Sequence, residues 1–154
     1  MSRTFKFRAW NPSQKIILYS KPEYSDDMLG FRFDLQQPQA EEKNVWYVDL
    51  DYKKYGDEED VIFMEFIGLK DKNGVEIYEG DIVKWDDDSE NKYWRVCEIV
   101  WKPSHYHLIG YTYYSDNPAK KHPVKFEFGQ FIYEYDGVLE VIGNRFENPE
   151  LLNV

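Results

Sequence analysis

The sequence predicts a mostly β protein: a small antiparallel, SH3-like barrel with additional β-hairpins and a short C-terminal helical turn. Three observations support this fold class. Aromatic residues make up 18% of the chain, and aromatic side chains pack well in strands. Short apolar or alternating runs recur along the chain and are separated by turn residues. Finally, Asn73-Gly74 and Asp136-Gly137 lie between such runs, and these dipeptides tolerate the positive φ angles that tight hairpin turns need.

The N-terminal part is expected to open as a hairpin. Residues 5–10 alternate apolar and basic side chains, as in a half-buried strand, and residues 15–19 form a second strand after a turn signal at 11–14. Further short strands are expected at residues 31–33 and 45–48. Residues 49–60 are acidic and contain several tyrosines, which favours a solvated connector.

Residues 61–85 give the most detailed prediction of local structure in the chain. A strand over residues 61–67 leads through the Asn73-Gly74 turn into a second strand, and a tight turn at Gly80-Asp81 opens a third strand over residues 82–85. The remaining strands are predicted at residues 92–101, 105–114, 124–128, 130–135 and 138–142, with a loop over residues 117–123.

A single helical turn is expected at the C-terminus. Asn148 can cap it, Pro149 suits the first helical position, and Glu150 complements the positive helix end. A chain of 154 residues can bury a real core. We expect one domain over residues 1–154. The sequence leaves open a division into two β subdomains, about residues 1–60 with the C-terminus, and residues 61–140 as the barrel.

Charge and cysteine content indicate an acidic cytoplasmic protein. The net charge is −10, and residues 41–92, with seven bases and seventeen acids, hold the excess. Such a surface repels nucleic acid and favours basic partners or simple solubility. Cys97 is the single cysteine, which fits a reducing compartment, and we expect it to be a small buried strand residue. The N-terminus lacks a signal peptide's apolar region, and no membrane segment is expected.

Three blocks of the sequence resemble one known family. They are FKFRAW at residues 5–10, FIGLKDKNGVEIYEGDIV at residues 66–83, and VIGNRFENPELL at residues 141–152. These blocks are similar to the YopX family, whose members come mainly from bacteriophages and prophages. The resemblance implies a β-rich phage accessory protein that self-associates, and it supplies no catalytic residue. Because the glycines and Asn-Pro of these blocks suit turns and caps, we expect the blocks to preserve architecture.

His105 and His107 are the first candidate site. Their i, i+2 spacing puts both imidazoles on one face of a strand. A metal site needs a third ligand, for which Glu98 and Asp116 are candidates, and the familiar zinc-ligand spacings are absent. The sequence therefore favours two polar residues on an exposed strand face.

Two acidic groups are explained more simply by turns and loops than by chemistry. Glu79 and Asp81 flank Gly80 and could divide acid and base roles, but an aspartate after a turn glycine accepts local backbone hydrogen bonds. The second acidic group lacks the ligand spacing of a calcium-binding loop, so we expect it to be a solvent-exposed loop. It comprises Asp86, Asp87, Asp88 and Glu90.

A basic and aromatic set could form a stacking surface for single-stranded nucleic acid, as on other small barrels. Its members are Lys6, Arg8, Arg32, Arg95, Lys120 and Lys121, with Trp94, Tyr111, Tyr113 and Tyr114. No clustered basic footprint is visible in the sequence, so nucleic acid is not the favoured partner.

The sequence thus contains no catalytic, metal-binding or cofactor-binding constellation that we can name, and we expect a non-enzymatic protein without cofactor. The favoured function is that of a phage or prophage accessory protein that binds a host or phage protein and self-associates. The alternatives are a nucleic-acid-binding small barrel and an acidic nucleic-acid mimic that blocks a host factor.

Overall fold

A computed structural model describes residues 6–13, 15–20, 30–31, 35–36, 47–48, 62–86, 90, 92–129 and 137–152. Over these residues the protein is mostly β, as predicted. The strands are β1 (Phe7–Asn11), β2 (Ile16–Ser20), β3 (Gly30–Phe31), β4 (Leu35–Gln36), β5 (Tyr47–Val48), β6 (Ile62–Lys70), β7 (Glu76–Tyr78), β8 (Asp81–Trp85), β9 (Tyr93–Lys102), β10 (His105–Tyr114), β11 (Asn117–Glu127) and β12 (Glu140–Asn144). A 3-10 turn, η1 (Pro149–Leu152), follows at the predicted place. Within the described residues no helix is long and apolar enough to cross a membrane.

The chain divides into two compact units, residues 6–63 and residues 1–5 with 64–154. The turn η1 belongs to the larger unit. Its Leu151 and Leu152 side chains pack there against Ile82, Val96 and Tyr113.

In the smaller unit, β1 and β2 form the predicted N-terminal hairpin. They pair antiparallel with Ala9 opposite Leu18, and these two side chains are buried together. The Asn11 side-chain oxygen accepts a hydrogen bond from the Ser13 backbone N–H at 3.0 Å, which fixes the turn between the strands. Strand β3 pairs parallel with β2, and β4 pairs antiparallel with β5.

The larger unit contains a half-barrel of five strands in the order β11-β10-β9-β8-β12, each antiparallel to its neighbour. Its inner face is apolar and carries the core, to which the β6–β7 hairpin contributes. The buried side chains of this core are Ile77, Val83, Trp85, Cys97, Ile99, Leu108, Phe128 and Leu139. Cys97 therefore lies where the sequence predicted it, buried in a strand.

One predicted loop is a strand. Residues 117–123 were expected to form a loop because of their prolines and lysines, but they begin β11, which pairs with β10 through Glu127. Strand β11 is at the edge of the sheet, where proline and lysine are tolerated and also discourage pairing with other chains. The predicted strand over residues 130–135 lies outside the described residues.

Candidate functional site

We call the blocks at residues 5–10, 66–83 and 141–152 the signature blocks. The turn between β6 and β7, in the second of these blocks, is organised by Asp71. One carboxylate oxygen accepts backbone hydrogen bonds from Asn73 at 2.8 Å and Val75 at 2.9 Å. The other oxygen accepts one from Val141 at 3.0 Å, seventy residues away. Gly74 has a φ of 83°, which explains why glycine follows Asn73. Asp71 therefore ties the β6–β7 turn to β12.

The turn between β7 and β8, at Gly80-Asp81, is likewise held by an aspartate that accepts a backbone hydrogen bond. Its carboxylate accepts a hydrogen bond from the Tyr78 backbone N–H at 2.7 Å, and the residue is 1% exposed. Gly80 has a φ of 79°. Burial raises the pKa of the neighbouring Glu79, although a backbone hydrogen bond from Trp101 and the charge of Arg145 oppose the shift. Asp81 thus has the backbone-bonding role that the sequence predicted.

The signature block at residues 141–152 is hydrogen-bonded to the one at residues 66–83. The Asn144 side-chain oxygen accepts hydrogen bonds from the backbone N–H groups of Phe146 and Glu147, both at 3.0 Å. The backbone N–H of Arg145 donates to the Gly80 carbonyl at 2.9 Å. A Cβ on Gly143 would lie 2.5 Å from the Asn148 side-chain oxygen, so a larger residue there would displace the Asn148 side chain from its hydrogen bond. Asp71, Asp81 and Asn144 of these blocks thus accept backbone hydrogen bonds that hold turns.

Asn148 acts differently from the prediction. Its side-chain oxygen accepts a hydrogen bond from the backbone N–H of Asn144 at 3.3 Å, pointing back toward β12. The backbone carbonyl of Asn148 accepts one from Leu151 at 3.1 Å. The asparagine therefore joins η1 to the preceding turn through both of its carbonyl groups.

His105 and His107 share a strand face as predicted, with ring centroids 4.4 Å apart. Contrary to the expectation of an exposed pair, His107 is only 4% exposed. Burial lowers the pKa of His107, and the charges of Lys125 and His105 lower it further. Glu98 and Asp116, the candidates for a third ligand, are not among the described residues whose ligand atoms lie close to both histidines.

Glu127 takes that third position, since it lies directly opposite His107 on β11. Its carboxylate is 3.7 Å from His105 Nε2. Glu127 lies in the strand predicted over residues 124–128, but the sequence does not show its partner, because only the register of β11 against β10 brings these side chains together.

The basic and aromatic set does not form one surface. Arg95 lies on the inner side, with its guanidinium 5.3 Å from the ring centroid of Phe126 and 5.9 Å from that of Trp85. Tyr113 is buried and stacks on Trp94 at 5.8 Å. Lys6 and Arg8 belong to the smaller unit, and Arg32 lies outside the described residues.

Two basic and aromatic pairs remain on neighbouring strands. Lys121 lies over Tyr111 at 4.6 Å and Lys120 over Tyr114 at 4.7 Å. Of the acidic loop, Asp86 and Glu90 are exposed, as predicted for a solvated loop. Asp87 and Asp88 lie outside the described residues.

An open groove lies on the outer face of the half-barrel, and the sequence does not predict it. Its volume is about 490 Å³. We call it the outer groove and define it by Glu98, Ile109, Tyr111, Pro123, Lys125 and Leu152.

A straight row of side chains crosses this groove. Ile109 on β10 is directly opposite Glu98 on β9 and Lys125 on β11, so the row reads acid, apolar, base. Burial raises the pKa of Glu98, and the charges of Arg145 and Lys102 oppose that shift. The Arg145 guanidinium is 3.0 Å from the Glu98 carboxylate. No sequence motif indicates the row, because three strands contribute one residue each.

These observations define a β-rich half-barrel whose signature residues hold turns and whose outer face carries a groove. The chain belongs to the YopX family: the family model described as YopX protein matches residues 6–153. A protein of known structure, EF1440 from Enterococcus faecalis, is 31% identical in sequence, with 98% of this chain and 99% of that chain covered and a TM-score of 0.47. No curated protein matches the chain.

Proposed function

We propose that this protein is a phage or prophage accessory protein of the cytoplasm that acts by binding protein, in the first place a second copy of itself, and not by catalysis. Membership of the YopX family supports the phage context. The row Glu98, Ile109 and Lys125 carries the proposal for self-association.

The row is self-complementary. Consider two copies facing each other across a two-fold axis parallel to β10 and above Ile109. Because Glu98 and Lys125 lie on opposite sides of Ile109, this symmetry sets Glu98 of each copy against Lys125 of the other. Two-fold interfaces require such self-complementary patches. Ile109, with the neighbouring Pro123 and Leu152 of the outer groove, supplies apolar surface that is removed from water.

The edge strand makes association through the sheet face more favourable than strand-to-strand pairing. Strand β11 is an edge of the half-barrel and carries Lys120, Lys121, Pro123 and Lys125. Lysine and proline on an edge strand discourage the addition of another strand. At the β11 side of the half-barrel a partner is therefore expected on the sheet face, where the outer groove lies.

The test is sedimentation velocity over a range of protein concentrations. Lys125→Glu puts two carboxylates against each other at both symmetric positions, and juxtaposed like charges cost several kcal/mol at an interface. We expect association to weaken by at least about 10-fold. Lys120→Glu changes the net charge equally on the same strand and serves as the matched control. A wild-type protein that stays monomeric at all concentrations, or equal effects of the two substitutions, would refute the proposal.

A single-stranded nucleic-acid binder is the second candidate, favoured by the Lys121–Tyr111 and Lys120–Tyr114 pairs. Stacking on aromatic rings with nearby cations is how such proteins hold bases. This function predicts binding of single-stranded DNA or RNA that weakens steeply as salt is added, and that Lys120→Glu and Lys121→Glu both reduce it. Absence of binding at low salt excludes it.

A further inference from the structure

We propose that His105, His107 and Glu127 form a binding site for a divalent transition-metal ion, with Zn²⁺ as the ion that the donor set fits. One nitrogen from each imidazole and one carboxylate oxygen all lie within 4.8 Å of one another. The geometry follows from the sheet, because His105 and His107 alternate on one face of β10 and Glu127 is the cross-strand neighbour of His107. The argument for this site does not rest on the proposed self-association, although the site lies beside Lys125 of the row.

The burial of His107 is the observation that points to a ligand. The residue is 4% exposed, yet its Nδ1 atom has no hydrogen-bond partner among the described residues. Buried polar side-chain atoms are nearly always satisfied, and an exception needs an explanation. The Nε2 atom of His105 is likewise without a hydrogen bond, with the Glu127 carboxylate 3.7 Å away. A metal ion between these groups would satisfy both nitrogens.

Ser104 supports the site as a positioning residue. Its hydroxyl is 2.8 Å from His105 Nδ1. When Nδ1–H donates to this oxygen, the lone pair of His105 is on Nε2, on the side of Glu127, as metal-binding histidines require. Ser104 has a φ of 88°, a conformation that favours glycine. A serine at a position suited to glycine indicates that its hydroxyl is used.

The donor set selects the class of ion. Two imidazoles and one carboxylate suit zinc and its neighbours in the transition series, whereas calcium and magnesium take oxygen ligands. Ligands about 2.0–2.1 Å from a tetrahedral zinc lie about 3.4 Å apart, so the three groups must draw together slightly. Glu127, whose side chain is 63% exposed, is free to make most of that movement. The charge of Lys125 opposes binding and limits the affinity.

The experiment uses tag-free protein, because the chain has three histidines in total. With imidazole nitrogens labelled with ¹⁵N, addition of ZnCl₂ is expected to shift the signals of His105 and His107 and to leave His122 unchanged. His122 lies elsewhere on β11, edge-on to Tyr114. Equal shifts of all three histidines, or of none, would show adventitious binding or no binding, and either result would overturn the proposal.

Substitutions then measure the affinity for Zn²⁺ by calorimetric titration. Glu127→Gln and His105→Gln remove exposed ligands and are expected to weaken binding at least about 10-fold, while His122→Gln leaves it unchanged. Ser104→Gly separates positioning from folding, because it relieves the backbone conformation and removes the hydroxyl. It is expected to raise the melting temperature and to weaken zinc binding about 10-fold. Unchanged affinity in Glu127→Gln would refute the assigned ligand set.

Discussion

Replacing Asp71 by alanine tests the claim that the signature blocks hold the fold together. The carboxylate accepts three backbone hydrogen bonds, two within its own turn and one from Val141 on β12. The residue is 6% exposed. The substitution removes the acceptor for all three N–H groups and so affects two parts of the larger unit that are distant in sequence.

The expected loss of stability is about 3 kcal/mol. Hydrogen bonds to a charged group contribute about 1.5–3 kcal/mol each, and the values are not additive. The N–H groups of Asn73 and Val75 lie in a surface turn, where water can replace the carboxylate. The N–H of Val141 lies in a strand, where replacement is harder, so most of the loss is assigned to this bond.

Urea and thermal unfolding measure the effect. A loss of about 3 kcal/mol lowers the melting temperature by about 6–12 °C for a chain of this size. Asp71→Asn is expected to cost about 2 kcal/mol, because one amide oxygen replaces two acceptor oxygens. Lys72→Met, which removes the exposed ion pair with Glu140, is the control and should change the stability little, because exposed ion pairs contribute little. If Asp71→Ala costs no more than this control, the reasoning is wrong.

Three further predictions concern the same unit. Gly110→Ala would set a Cβ 2.0 Å from the Val96 carbonyl oxygen and 2.7 Å from Cys97 Cα, so we expect the free energy of unfolding to fall by about 3 kcal/mol. In the control Gly129→Ala the Cβ meets no atom within 4 Å, so this variant should be nearly neutral in urea unfolding. Equal effects of the two substitutions would contradict the β9–β10 packing. Burial opposes but does not outweigh the backbone hydrogen bonds and Lys72 that lower the pKa of Asp71 below its usual 3.8. Its stabilisation is therefore complete above that value and lost as the pH falls through the lower folded pKa, so the stability difference between wild type and Asp71→Asn should shrink only in strong acid; a difference that already disappears near pH 6 would refute this assignment. Burial raises the pKa of Cys97 to about 12, so thiol labelling at pH 8 should proceed only as fast as the half-barrel opens, and rapid labelling of the folded protein would place Cys97 outside the core.

The turns of this protein could be predicted because their causes are local. Gly74, Gly80 and Asp81 are specified by the need for positive φ angles and for a nearby acceptor, and both requirements are visible within a few residues of sequence. The C-terminal turn lies at the place that Pro149 indicates, although the Asn148 side chain bonds to Asn144 and does not cap it.

The site residues could not be predicted because they depend on register between strands. Glu127 joins the two histidines only through the pairing of β11 with β10, and the predicted strand over residues 124–128 does not reveal that register. The acid, apolar, base row of the outer groove similarly needs the alignment of three strands. The bond from Val141 to Asp71 spans seventy positions, which no local pattern reveals.

Mixing two charge-reversed variants tests the proposed self-association most directly. Lys125→Glu has two acidic positions and Glu98→Lys has two basic positions, so each variant repels its own copies across the proposed two-fold axis, while one copy of each attracts the other. With both variants shown to be folded by circular dichroism, sedimentation velocity should find each one monomeric alone and the equimolar mixture dimeric. A mixture that sediments as the sum of its two monomers would contradict the account.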